Sequence, residues 1–179
     1  MLFSNRFFLK YLIGYHLNDI FFILSIAYTH SILSLPFTSI LLDQTDIVDE
    51  ALQFYRANAL FRSFKPEGPA DLLLAYLTIY IGELLRHLQR DKTAAEARKN
   101  VIKVSMAQNF AIPGDANFCL GGFFSPPANR SDADAIRTYL LQIRQELANR
   151  LIDIVYPEGQ QSKWWFAYTR RKFLNIDRT

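Results

Sequence analysis

An all-α fold is predicted, a single-domain bundle of about five helices with one helix at its centre. Two observations predict it. The stretch 69–89 is apolar around nearly its whole circumference from Leu72 to Ile81, which requires burial on every side. The segments flanking it carry apolar residues at spacings of three and four behind capping residues, the pattern of helices with one buried face. A chain of 179 residues is long enough to enclose one such core without disulfides or metal, and its one cysteine, Cys119, excludes a disulfide framework and a cysteine-based zinc site.

Residues 1–42 differ from the rest. Phe, Leu, Ile, Ser, Tyr and Asn dominate them, and the 23 residues 20–42 carry no charge. That length suffices for a membrane span, although Thr29, His30, Ser31 and Ser34 interrupt it and Pro36 would kink it. The same composition is what a translated AT-rich intron or a wrong start yields, and this is the reading adopted. A buried N-terminal core helix is the third alternative. Residues 43–179 are expected to form the helical domain.

From Thr45 onward Asp46, Asp49 and Glu50 crowd a first turn, and Ile47, Ala51, Phe54, Tyr55, Phe61 and Phe64 continue at helical spacing, predicting a helix to about residue 64. Lys65-Pro66-Glu67-Gly68-Pro69 breaks it, and Pro69 suits the first position of the next helix. That helix is expected over 69–89. Beyond Gly82 its apolar surface narrows to Leu84, Leu85 and Leu88, and His87 falls in the last turn, where a cation is favourable. Thr93 and Glu96 form a capping-box pattern for a third helix to about residue 108, with Ala97, Val101 and Val104 inward.

Residues 109–130 contain Pro113, Gly114, Gly121, Gly122, Pro126 and Pro127, so no continuous helix is expected. Their apolar content predicts a segment that packs across the bundle and offers Phe123 and Phe124 to a partner. Ser131, with Asp132 and Asp134, is the expected cap of a helix whose inner stripe is Ile136, Leu140, Ile143, Leu147, Leu151 and Ile154, with Arg137, Arg144, Gln145, Asn149 and Asp153 facing away. Pro157 and Gly159 end it. A last helix is expected over 162–174, capped by Ser162.

Chemistry is sparse. No glycine-rich phosphate loop, metal-ligand spacing or nucleophile elbow is present, so no catalytic, cofactor-binding or metal-binding residue is assigned and no enzyme is expected. The unusual constellation is the tail, where Lys163, Trp164, Trp165, Arg170, Arg171, Lys172 and Phe173 mix cations with aromatics. Residues 163–179 carry a balance of +4 within a chain of net +3, so the remainder is about −1. Such a tail suits a protein interface, or single-stranded nucleic acid; the plainest reading has Trp165 and Phe173 closing the core while the cations are solvated. One short basic cluster offers few phosphate contacts, so nucleic acid is not the expected partner. Asn129-Arg130-Ser131 matches a glycosylation sequon, a pattern frequent by chance.

Eight stretches, taken in order, carry a resemblance. Asp46-Ile47-Val48-Asp49-Glu50-Ala51, Phe54-Tyr55-Arg56-Ala57-Asn58, Gly68-Pro69-Ala70-Asp71, Tyr76-Leu77-Thr78-Ile79-Tyr80-Ile81, Asn109-Phe110 with Ile112-Pro113-Gly114, Pro127-Ala128-Asn129, Tyr139-Leu140 with Arg144-Gln145-Glu146, and Ser162-Lys163-Trp164-Trp165 with Lys172-Phe173 resemble the 21-kilodalton subunit-3 family of the actin-related protein 2/3 complex over about 46–175. The resemblance implies an all-α, non-enzymatic structural subunit without cofactors. It implies the cytoplasm and the actin cytoskeleton, in an assembly of seven proteins that nucleates branched filaments on an existing actin filament, with docking chiefly on the actin-related protein-3 subunit. Two departures stand out: Cys119 where relatives usually carry proline, and residues 1–42 in place of a polar, extended N-terminal segment. The alternative is a membrane-anchored helical protein-binding module.

Overall fold

Asp46 begins the first helix by accepting the Val48 and Asp49 N–H groups on its carboxylate, each at 2.9 Å. The computed structural model describes residues 46–176 and is all-α over them; the readings of residues 1–42 lie outside the described residues. Five helices follow in order: α1 Ile47–Asn58, α2 Pro69–Leu88, α3 Ala94–Ser105, α4 Arg130–Val155 and the short α5 Lys163–Phe166. Among the described residues no helix is long and apolar enough to cross a membrane, and no group of acidic, His or Cys side chains is placed to hold a metal ion.

Helix α1 ends six residues before the expected boundary near residue 64. Leu60 and Phe61 donate back to the carbonyls of Ala57 and Asn58 at 3.2 and 2.9 Å, which tightens and ends the helix. The Phe61 carbonyl is then used elsewhere, accepting the Leu174 N–H at 3.0 Å, so the aromatic stretch after Asn58 is turned toward the tail.

Helix α2 starts where Gly68 and Pro69 place it. The Asp71 carboxylate reaches back to the Glu67 and Gly68 N–H groups at 2.8 and 3.2 Å. Residues 73–81 are buried without interruption, as periodicity predicts for a helix apolar all round. Its neighbours are α1, α3 and α4. Within this buried run Thr78 satisfies its hydroxyl by donating to the Leu74 carbonyl at 2.8 Å. Leu84, Leu85 and Leu88 are fully buried, the narrowed stripe expected beyond Gly82.

Helix α3 is capped by Thr93, whose hydroxyl accepts the Glu96 N–H at 3.4 Å. It stops at Ser105 rather than near 108, because Arg137 takes the carbonyls of Gln108 and Phe110 at 3.3 and 3.0 Å and draws the chain off the helical path.

Three expectations for α4 are corrected. Its cap is Asn129, whose side-chain oxygen accepts the Asp132 N–H at 2.7 Å, while Ser131 lies within the first turn. Ile154 is 41% exposed, the inner positions near that end being Ile152 and Val155. Arg144 does not face away: it is 3% exposed. A clamp ties α4 to α1, with the Arg150 guanidinium 2.7 Å from Asp46, 2.8 Å from Asp49 and 2.7 Å from Glu146.

Candidate partner interface

The tail is seated by its backbone before its side chains are considered. Ser162 donates its N–H to the Val155 carbonyl at 2.9 Å, and the Tyr156 hydroxyl donates to the Asp91 carbonyl at 2.8 Å. Helix α5 then lasts one turn rather than running to about residue 174, and Ser162 makes no side-chain cap. The Trp165 N–H goes instead to the Ser162 carbonyl at 3.2 Å, and successive tight turns follow through Thr169 and Arg171.

Those turns separate adjacent side chains. Trp165 is 8% exposed and stacks on Tyr55, ring centres 5.7 Å apart and planes at 10°, with the Arg56 guanidinium 5.9 Å above it. Trp164 is 76% exposed. Thr169 is buried, accepting from Gln89 Nε2 at 2.6 Å while donating to the Phe166 carbonyl at 2.8 Å. Phe173 is buried against Phe64, ring centres 6.0 Å apart. Lys163, Arg170, Arg171 and Lys172 are exposed. Tail residues therefore divide into a seated set (Trp165, Thr169, Phe173) and an outward set led by Trp164.

Phe123 and Phe124 sit in the irregular stretch between α3 and α4. Gly114 takes φ +99° there, and a Cβ on it would lie 3.2 Å from both Pro126 and Pro127. Ile112, Phe118 and Leu120 are buried, and Phe118 stacks on Tyr76 at 6.0 Å. Phe124 meets the Phe118 edge at 5.3 Å and is half-buried, whereas Phe123 is exposed.

Sequence reasoning missed Arg144. Its guanidinium lies between two rings, 4.1 Å from the centre of Tyr80 and 4.5 Å from that of Phe110, and donates to the Tyr76 hydroxyl at 3.2 Å. Burial alone would lower its pKa, but the phenolic oxygens of Tyr76 and Tyr80 and the Glu83 charge outweigh it, so the side chain stays cationic. Burial drives the Tyr80 hydroxyl upward, and Tyr139, on α4, is pushed up to about 12 by burial. The signal was in the spacing: position 144 stands four after Leu140 and three before Leu147, on the inner face.

Over residues 21–177 the chain matches the family described as P21-Arc, the ARP2/3 complex ARPC3 (21 kDa) subunit. It belongs to that family. Curated relatives agree. Actin-related protein 2/3 complex subunit 3 of Arabidopsis thaliana is 42% identical over 135 residues, covering 75% of this chain and 77% of the relative. The Schizosaccharomyces pombe protein of the same name is 43% identical over 138 residues, 74% of this chain and 76% of its own. The Caenorhabditis elegans relative, described as a probable subunit 3, is 39% identical over 135 residues, 74% of each chain. The subunit-3 family is a structural component of its complex and not an enzyme.

Proposed function

We propose that this chain is the non-enzymatic structural subunit through which an actin-related protein 2/3 complex is held together for branched-filament nucleation, docking on the actin-related protein-3 subunit beside the actin filament. Family membership over residues 21–177 carries the reading. In it, residues 43–179 act as a single helical domain with α2 at the centre, working in the cytoplasm at the actin cytoskeleton. The continuous burial of residues 73–81 supports that arrangement, since a rigid body is what a structural subunit must present.

The proposed docking surface is the outward part of the tail. Trp164 supplies apolar area, Lys163, Arg170, Arg171 and Lys172 supply orientation and encounter rate, and Trp165 and Phe173 hold the segment in register from below. Phe123 and Phe124 are proposed as a secondary contact. The test is co-purification of the complex with the triple reversal Arg170→Glu, Arg171→Glu, Lys172→Glu, alongside a thermal melt of the isolated chain. Weakened incorporation with an unchanged melt is expected. Full incorporation of a folded variant would remove these cations from the interface, and steeply salt-dependent binding of single-stranded oligonucleotide by the wild-type chain would favour a nucleic-acid role.

A further inference from the structure

The stretch after α1 and the tail share one surface, because Leu174 donates its N–H to the Phe61 carbonyl at 3.0 Å and Phe173 packs on Phe64. On that surface residues 60–63 stay outside as an unbroken run, Leu60 being 53% and Phe61 40% exposed, and beyond the half-buried Phe64 the Lys65 side chain is exposed again. We propose that this run is a membrane contact: Leu60 and Phe61 enter the headgroup region of an anionic bilayer, while Arg62 and Lys65 meet its phosphates and carboxylates.

The backbone holds the apolar pair outward. Leu60 and Phe61 donate back to the Ala57 and Asn58 carbonyls, and the Phe61 carbonyl is taken by Leu174. Beyond Lys65 the chain is fixed again, where the Asp71 carboxylate accepts the Glu67 and Gly68 N–H groups. A backbone pinned on both sides keeps two adjacent large side chains in solvent, and a contact formed in advance loses little conformational entropy on binding.

Charge gives the sign of the partner. Residues 59–66 contain Arg62, Lys65 and no acid, a balance of +2, and the tail they adjoin, 163–179, carries +4. The chain's net charge is +3, so everything outside these two stretches sums to −3. Arg62 and Lys65 are exposed and make no ion pair among the described residues. An anionic leaflet attracts cations so placed, and because charge acts over a Debye length of about 8 Å, the tail cations strengthen the pull without touching lipid.

The mixture selects a bilayer. Apolar insertion and a basic cluster, each weak alone, together hold a protein at a membrane surface. Leu60 is aliphatic and offers no ring face on which a base could stack, which disfavours single-stranded nucleic acid, and a projecting run encloses no small molecule. The inference goes beyond docking of the tail and does not rest on it, since the lipid contacts come from residues outside the tail.

The test is sedimentation of the full chain with vesicles of phosphatidylcholine containing about 30 mol% phosphatidylserine, and with vesicles of phosphatidylcholine alone. Residues 1–45 are common to every arm, so differences between variants report on 60–65. Wild type is expected to favour the anionic vesicles and to be released as salt rises. Arg62→Gln with Lys65→Gln should weaken partition at least about tenfold, and Leu60→Ser with Phe61→Ser by at least about tenfold, each with an unchanged melting temperature and undiminished incorporation into the complex. If the apolar double variant does not fold, Leu60→Ser alone is read, with a loss of at least about threefold expected. Equal binding to the two kinds of vesicle, unchanged partition of the folded variants, or loss through the charge variant with none through the apolar one, as an unspecific polyanion site would give, would each overturn the proposal. So would failed incorporation of the folded variants, which would place the run in a subunit interface.

Discussion

Helix α2 and the tail are both rich in large apolar side chains, yet they use them in opposite ways. In α2 the backbone satisfies its own hydrogen bonds, so every side chain over residues 73–81 can be buried and neighbours share one fate. In the tail the backbone turns every few residues, and neighbours part: Trp165 is 8% exposed while Trp164 is 76% exposed. A run of apolar residues thus says how much will be buried, and the regularity of the backbone says which.

The sharpest attack on that contrast is to empty both regions. Trp165→Ala should cost about 3–5 kcal/mol and Leu77→Ala, at a fully buried position, about 2–5 kcal/mol. Chemical denaturation of the two variants reads both, and a loss below about 1 kcal/mol for Trp165→Ala would mean that the tail lies on the core without completing it. Gly114→Ala asks whether irregular backbone is as demanding as helical backbone. With φ at +99° and two prolines at 3.2 Å from a new Cβ, a cost of about 1–3 kcal/mol is expected, and a melt indistinguishable from wild type would refute it.

Smaller effects follow at a helix end. Asn129→Ala should lose about 0.5–2 kcal/mol through the missing cap, whereas Ser131→Ala should stay within about 0.5 kcal/mol, and the reverse ranking would return the cap to Ser131. Trp164→Ala should also leave stability within about 0.5 kcal/mol, which sets it against Trp165 in a single pair of melts. Smallest is a pH effect at Glu50 on α1. Burial, and then the Asp71 charge, raise its pKa above the ordinary 4.5, so its protonated form is favoured in the fold. That contribution is complete below the ordinary value and is lost as pH rises through the raised one. Glu50→Gln should therefore flatten the stability profile just above pH 4.5 without lowering stability at neutral pH; an unchanged profile would exclude Glu50 as its source.

How legible these regions were follows the same division. The start of α2 could be read to the residue, because Gly68 and Pro69 carry backbone constraints that tertiary packing cannot override. The end of α1 could not, since Phe61 and Phe64 keep helical spacing but are drawn toward a segment more than a hundred residues later. Local signals also misplaced the α4 cap, where Asn129 and Ser131 are both good capping residues and only the backbone path selects Asn129. Arg144 failed for another reason: its spacing assigned it inward, and its charge was allowed to outvote the spacing. Its charge is accommodated by ring faces contributed from α2 and from the stretch after α3, partners that no local pattern in α4 announces. The tail was legible in part: the reading in which Trp165 and Phe173 close the core while the cations are solvated matches their burial, but residue type alone left Trp164 and Trp165 equal candidates for a partner surface.

The hydrogen bond from Leu174 to the Phe61 carbonyl, together with Phe173 on Phe64 and Trp165 on Tyr55, has a consequence for how the chain is made. The chain leaves the ribosome N-terminus first and a domain folds as a unit, so α1 and α2 emerge long before the segment that covers Tyr55 and Phe64. Closure of that side must wait for the end of translation, and a message cut short before the codon for Trp165 would release a product whose helices can form but whose aromatic flank stays open to chaperones and proteases.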